Sequence, residues 1–157
     1  MSDKIFNEIR LGNTQEVVSM LKENPELVNT TDQRGSTPLI LATYYDQIET
    51  AEVLLNNGAK IDAVDASGNT ALMGVCFKGF AGIAKMLIEK GANVNERNSM
   101  GATCLIYAAT FNRLEIAKLL LEHGADTTAK DARGNTAFDH AKMQGVPELI
   151  SLLGTND

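Results

Sequence analysis

The apolar residues of this chain gather in short blocks, and the blocks come in pairs. Residues 39–45 are followed by residues 48–55, and second blocks of the same kind recur at 83–88 and 114–121. Each pair predicts two short helices packed side by side. The residue between the blocks is Asp46, Gly79, Asn112 or Gly145, the types that tolerate the left-handed region in a tight break. At the start of the first full pair, Thr37 precedes Pro38, which suits an N-cap followed by the first helical position. Gly58, Gly91 and Gly124 follow the second blocks and predict left-handed C-terminal caps.

The spacing of these features is constant. Gly35, Gly68, Gly101 and Gly134 stand 33 residues apart, as do Thr37, Thr70, Thr103 and Thr136. Asp32, Asp65 and Asp131 keep the same step with Asn98 in the fourth place, and the capping glycines are each followed by Ala59, Ala92 or Ala125. Several columns in one phase identify an internal repeat. The Asp-x-x-Gly start of each unit predicts a turn in which Gly takes a positive φ.

The segments DQRGSTPLILATYYDQIETAEVLLNNGAKIDAV, DASGNTALMGVCFKGFAGIAKMLIEKGANVNER and NSMGATCLIYAATFNRLEIAKLLLEHGADTTAK resemble ankyrin repeats. The resemblance implies an all-α fold, an ankyrin-repeat solenoid of stacked helix-turn-helix units with β-hairpin-like loops. It implies a single domain over residues 1–157: an N-terminal unit at 1–31, full repeats at 32–64, 65–97 and 98–130, and a C-terminal capping unit at 131–157. An extra residue around Asn24 and Pro25 separates the first unit from the next. Asn7, Glu8 and Arg10 at one end, and Glu148, Ser151, Thr155, Asn156 and Asp157 at the other, supply polar caps. The family's usual His after Thr-Pro-Leu is replaced by Ile40, Met73, Ile106 and Asp139, which exchanges polar ties between loops for packing. Pro38 has no counterpart at Ala71, Cys104 or Ala137. Gly82, inside a second helix, costs about 1 kcal/mol relative to Ala.

A chain of 157 residues with 44% hydrophobic and 22% charged residues fits one soluble domain. Aromatics make up 5% and Trp is absent, so the core must be aliphatic. The net charge of −6 excludes a general phosphate-backbone binder, which needs an excess of cations, so no nucleic acid is expected. Cys76 and Cys104 form no CxxC and sit 28 residues apart; they read as reduced, packed thiols. With no secretory pattern and no long apolar run, the expected location is cytoplasmic, without membrane association. There is no nucleophile elbow, phosphate loop, zinc-protease motif or dinucleotide fingerprint. His123 and His140 are 17 apart in different repeat phases; the first reads as a helix-end residue and the second as partly buried. Asp62, Asp65, Asp126 and Asp131 read as turn residues. No catalytic residue, metal or cofactor is expected.

The resemblance also implies variable positions at the loop tips and along the first helices. They fall one, two, four, twelve and thirteen residues after each unit's Asp, and just before the capping Gly. Tyr44, Tyr45, Phe77 and Phe111 occupy such positions, with Met100 at a tip and Met143 in the last unit. So do Arg10, Arg34, Lys78, Lys90, Arg133 and Lys142, against Glu23 alone; the fourth-position set is Ser36, Asn69, Ala102 and Asn135. Aromatics, Met and Arg are enriched at interface cores. The expected site is therefore Arg34, Tyr44, Tyr45, Phe77, Lys78, Met100, Phe111 and Arg133. Its expected partner is a protein with an acidic and partly apolar surface, bound by an adaptor or dedicated inhibitor that is itself a monomer or a weak homo-oligomer. The competing readings are that each aromatic packs on the next unit, that the face mediates homo-oligomerisation, or that a pocket binds a small molecule or substrate.

Overall fold

Thr37, Thr70, Thr103 and Thr136 each open a helix. Their hydroxyl oxygens accept from the backbone amides of Ile40, Met73, Ile106 and Asp139 at 3.1–3.2 Å, satisfying a donor that the helix itself cannot. In the last unit Asp139 also accepts from the Thr136 amide at 3.0 Å, closing a capping box. The structure, a computed structural model, describes residues 2–154. In chain order its helices are α1 Ser2–Arg10, α2 Thr14–Glu23, α3 Pro38–Tyr44, α4 Ile48–Asn56, α5 Ala71–Lys78, α6 Ala81–Glu89, α7 Cys104–Thr110, α8 Leu114–Glu122, α9 Ala137–Gln144 and α10 Pro147–Gly154. A single 3-10 turn, Pro25–Asn29, follows α2. No strand occurs among the described residues, so the loops are turns rather than paired ribbons.

Between the helices of each pair the chain reverses through a left-handed residue: Asp46 and Asn112 at φ 58°, Gly79 at 85°, Gly145 at 69°. The first helices α1, α3, α5, α7 and α9 pack in a row, and each second helix lies behind its partner. Repeat columns become core columns. Leu54, Leu87, Leu120 and Leu153 are buried, as are Leu39, Leu72 and Leu105, with Ala42, Val75, Ala108 and Ala141 between them. The core is aliphatic apart from Phe6 at its N-terminal end. Because no unit covers its own apolar face, stability lies in the contacts between neighbours.

The tips are joined by backbone hydrogen bonds. Asp32, Asp65, Asn98 and Asp131 each use Oδ1 to accept two amides of their own turn. Successive tips then connect through Ala66 N to Arg34 O, Ser99 N to Ser67 O, and Ala132 N to Met100 O, at 2.9–3.2 Å. A Cβ at Gly35 or Gly68 would stand 2.9 or 3.1 Å from the next tip's backbone nitrogen. Glycine is required there both for a positive φ and for this close approach.

At the position of the missing His, Met73 and Ile106 are buried and Ile40 is half-buried. Polar ties between loops come from elsewhere. The buried Asn98 amide donates to Asn69 Oδ1 at 2.8 Å and to the Tyr107 hydroxyl at 2.9 Å. Asn29 and Asn95 each bond to the loop that follows the next second helix, and Asp62 accepts from Asn93 N. Asp62 is thus a link between units as well as a turn residue. At the solenoid's ends Asn7, Arg10, Glu148 and Ser151 are exposed and Glu8 is half-buried; Thr155, Asn156 and Asp157 lie outside the described residues.

Candidate partner-binding surface

Helices α3, α5 and α7 end on the same side of the solenoid, and an aromatic residue ends or caps each of them. Tyr44 ends α3 and Tyr45 caps it; Phe77 and Lys78 end α5; Phe111 caps α7. While Phe6 is buried and Phe80, Tyr107 and Phe138 pack against the core, these rings stay at the surface: Tyr45 is 51% exposed, and Tyr44, Phe77 and Phe111 are each 38% exposed.

The side chains touch across units. The Phe77 and Phe111 rings meet edge to face at 4.7 Å, and Phe111 stacks on Tyr107 at 6.2 Å. Tyr44 and Tyr45 form a second edge-on pair. The Lys78 ammonium stands 4.9 Å from the centre of the Tyr44 ring and 5.7 Å from that of Phe80. Lys78 therefore links α5 to the aromatic end of α3 by a cation–π contact. Beside this row, Arg113 donates to the Phe77 carbonyl at 2.8 Å and fixes the end of α5.

A groove of about 1050 Å³ runs along the first helices at the N-terminal end, with Arg10, Arg34, Tyr44 and Tyr45 in its walls. Asp3, Asp32 and Asp65 line it too, so its charge is mixed rather than uniformly basic. A smaller apolar pocket of about 300 Å³ opens between α3, α5 and α7. Arg34, Met100 and Arg133 are exposed at the tips. The Arg34 and Met100 carbonyls carry tip links, and the Arg133 amide bonds to Asp131 within its own turn. Arg34, Lys78 and Arg133 have no acidic side chain within ion-pair distance among the described residues. The ion pairs there are Lys4 with Glu16 and Asp139 with Lys142, beside the hydrogen-bonded contact of Asp131 with His140.

Two positions read as recognition sites are placed elsewhere. Lys142 lies eleven residues after Asp131, in the column of the buried Thr43, Cys76 and Ala109. It folds over Phe138 at 4.6 Å, and the twelfth position belongs to the exposed Met143. The fourth position faces inward: Ala102 is buried, while Ser36, Asn69 and Asn135 are half-buried. Two residues that shape the surface were not anticipated, Tyr107 and Arg113. Tyr107 had a visible signal, an aromatic four residues before Phe111, hence on the same helical face. Arg113 had none.

The ionisable groups serve the fold. His123 caps α8, with Nδ1 2.9 Å from the Leu119 carbonyl. His140 is mostly buried and meets Asp131 at 2.7 Å. At Asp131, burial raises the carboxyl pKa. The hydrogen bond from His140 and the amides of Asn135 and Arg133 outweigh it, leaving the group below the ordinary carboxylate range. Asp126 is lowered by the Thr128 hydroxyl and amide. Cys76 and Cys104 are free, buried thiols; the neighbouring Cys104 thiol, with burial, pushes the Cys76 thiol up. Among the described residues no cluster of three or more His, Cys, Asp or Glu could hold a metal ion, and no helix is long and apolar enough to cross a membrane.

The repeats are matched by family models. A model of ankyrin repeats in three copies covers residues 58–131, and a model of ankyrin repeats in many copies covers residues 20–73. No curated protein matches the chain significantly. With helix pairs stacked through a shared aliphatic core and tips joined by backbone hydrogen bonds, the chain belongs to the ankyrin-repeat family and folds as its all-helical solenoid.

Proposed function

We propose that this protein is a non-catalytic adaptor or dedicated inhibitor that holds a partner protein against its first-helix groove and loop tips. Ankyrin repeats are in general protein-interaction modules, and a rigid stack offers a preformed surface at little ordering cost. The observation that carries the reading is the aromatic row of Tyr44, Tyr45, Phe77 and Phe111. It is exposed in a protein whose core is aliphatic apart from Phe6, and Lys78 on α5 reaches across to its Tyr44 ring. Arg34, Met100 and Arg133 extend the surface at the tips. Three cations that form no ion pair among the described residues fit a partner that presents carboxylates around apolar side chains. Buried free thiols fit action in a reducing compartment such as the cytoplasm.

The test is capture of the partner by the wild-type chain and by an Arg34→Glu, Lys78→Glu, Arg133→Glu variant. Loss of the bound protein in the variant, and weakening of the wild-type complex by salt, are the expected results. Equal capture by both would overturn the reading. The row could also meet a second copy of the chain. Sedimentation velocity over a range of concentrations distinguishes this, because self-association through the row would raise the mass of wild type and not of Tyr45→Ala.

A further inference from the structure

The ninth residue after each unit's Asp or Asn turn residue is Leu41, Gly74, Tyr107 or His140. Where this residue is polar it closes over the turn. The Tyr107 hydroxyl accepts from Asn98 at 2.9 Å, and His140 meets Asp131 at 2.7 Å. At Gly74 there is no side chain to do so. Asp65 Oδ1 is occupied by the Ser67 and Asn69 amides, and its Oδ2 has no partner among the described residues. The space left by Gly74 is the pocket of about 300 Å³ between α3, α5 and α7. Its walls are Tyr44, Phe77, Tyr107 and Phe111, and Asp65 and Asn69 supply its polar end.

We propose that this pocket receives one tyrosine or tryptophan side chain of the partner, inserted between the rings with its O–H or N–H directed to Asp65. The proposal rests on the binding reading above and names what the groove selects. The volume lies at the lower bound of small-molecule pockets, about 300–1,000 Å³, and suits one large side chain. Four aromatic walls favour edge-on or offset contact with another ring. A carboxylate oxygen beside apolar walls demands a donor, since burying it without one is costly. The donor is neutral rather than an ammonium or guanidinium. Lys78 already stands over Tyr44 and Arg113 is bonded at Phe77, so a third cation would be repelled. The same two cations favour carboxylates flanking the inserted ring.

The experiment is a titration of the nitrogen-15-labelled chain, followed by NMR, with acetylated pentapeptides Glu-Glu-X-Glu-Glu in which X is Tyr, Trp, Leu, Arg or Ala. The Tyr and Trp peptides are expected to bind about tenfold more tightly than the Leu and Ala peptides, the effect of one well-packed aromatic anchor. The amides of Gly74, Asn69 and Phe111 should shift with them. Gly74→Leu fills the pocket and should remove the preference. A Cβ at this position has only an ordinary contact, 3.5 Å to Tyr44 Cδ1, and a melting temperature no lower than wild type would show that the fold is intact, since Leu is the better helix former. Asp65→Asn retains the turn acceptor, as Asn98 does in the next unit; it should weaken the Trp peptide, whose N–H only donates, and spare the Tyr peptide, whose hydroxyl can accept from the new amide as Tyr107 does from Asn98. Tightest binding of the Arg peptide, equal binding of Leu and Tyr, no binding of any peptide at millimolar concentration, or retention of the preference in Gly74→Leu would each overturn the proposal. If the real partner still binds Gly74→Leu while Lys78→Glu loses it, the groove reading stands and the pocket reading fails.

Discussion

His140 Nε2 lies 2.7 Å from Asp131 Oδ2, so a mid-helix side chain of α9 closes the turn that begins its own unit. Asp131 and Asp139 both have carboxyl pKa values below the ordinary range. For Asp131, burial acts upward and is outweighed by His140 and the turn amides; for Asp139, the Thr136 amide is the main cause. A depressed folded-state pKa stabilises the protein above the unfolded value, and that stability is lost as pH falls through the folded one. Thermal melts should therefore start to fall below about pH 4, where unfolded carboxylates titrate. Asp131→Asn keeps the Oδ1 acceptor but loses the carboxylate. It should melt below wild type at neutral pH, with the gap narrowing in acid. A gap that stays constant with pH would show that the His140 contact has no ionic share.

Two glycines should respond in opposite directions. Gly82 is exposed in the first turn of α6, and a Cβ there would meet nothing within 4 Å. Gly82→Ala should raise stability by less than about 1 kcal/mol, the propensity difference of a helix interior. Gly91 follows α6 at φ 99° with equally open surroundings, so any cost of substitution there is backbone strain alone. Gly91→Val should lower stability by more than about 1 kcal/mol. Urea unfolding of both variants measures the pair, and a neutral Gly91→Val would mean that this cap is not what ends the helix.

The stack was legible in the sequence because its determinants are local and repeated. Thr70 caps α5 and Gly79 breaks the pair because of their own backbone and side-chain chemistry, which a 33-residue period displays several times. Exposure of Tyr44, Tyr45, Phe77 and Phe111 followed from their place at the helix ends. Contacts between different columns were not legible. Lys78 reaching Tyr44 and Arg113 reaching Phe77 depend on how far neighbouring units are offset, and no single repeat carries that information. Lys142 was misplaced by one residue in phase, which is enough to turn it from the groove onto Phe138. Ala102 shows the same limit: its tip slot points inward because its amide is tied to Asn98.

Cys76 and Cys104 should both be silent in the native protein. Cys76 sits in mid-α5 and Cys104 takes the first position of α7, where α3 has Pro38; both thiols are fully buried. The reactive species is the thiolate, and the Cys104 thiol together with burial pushes the Cys76 pKa up. A thiol reagent should label neither residue in buffer and both in denaturant. Labelling of Cys76 at the rate of a free peptide thiol would contradict the packing between α5 and α7.

The aromatic row should separate binding from folding, though not equally at each position. Tyr45 is the most exposed of its rings, so Tyr45→Ala should leave melting almost unchanged. Phe77 packs edge-on against Phe111 at 4.7 Å, a pair worth about 0.5–1.5 kcal/mol beyond area burial. Phe77→Ala should therefore melt slightly lower than wild type. Both substitutions should weaken the partner complex about tenfold or more, as loss of a central aromatic anchor does. Lys78→Glu should act mainly on the association rate and make it less sensitive to salt. Glu52, Lys85 and Lys118 are exposed on α4, α6 and α8, and their Ala variants should change neither binding nor melting. Should Phe77→Ala unfold the protein, Phe77 belongs to the core and the row shrinks to its tyrosines. Should the α4, α6 and α8 variants lose the partner while the row variants keep it, the partner sits on the second-helix face and the groove is not the site.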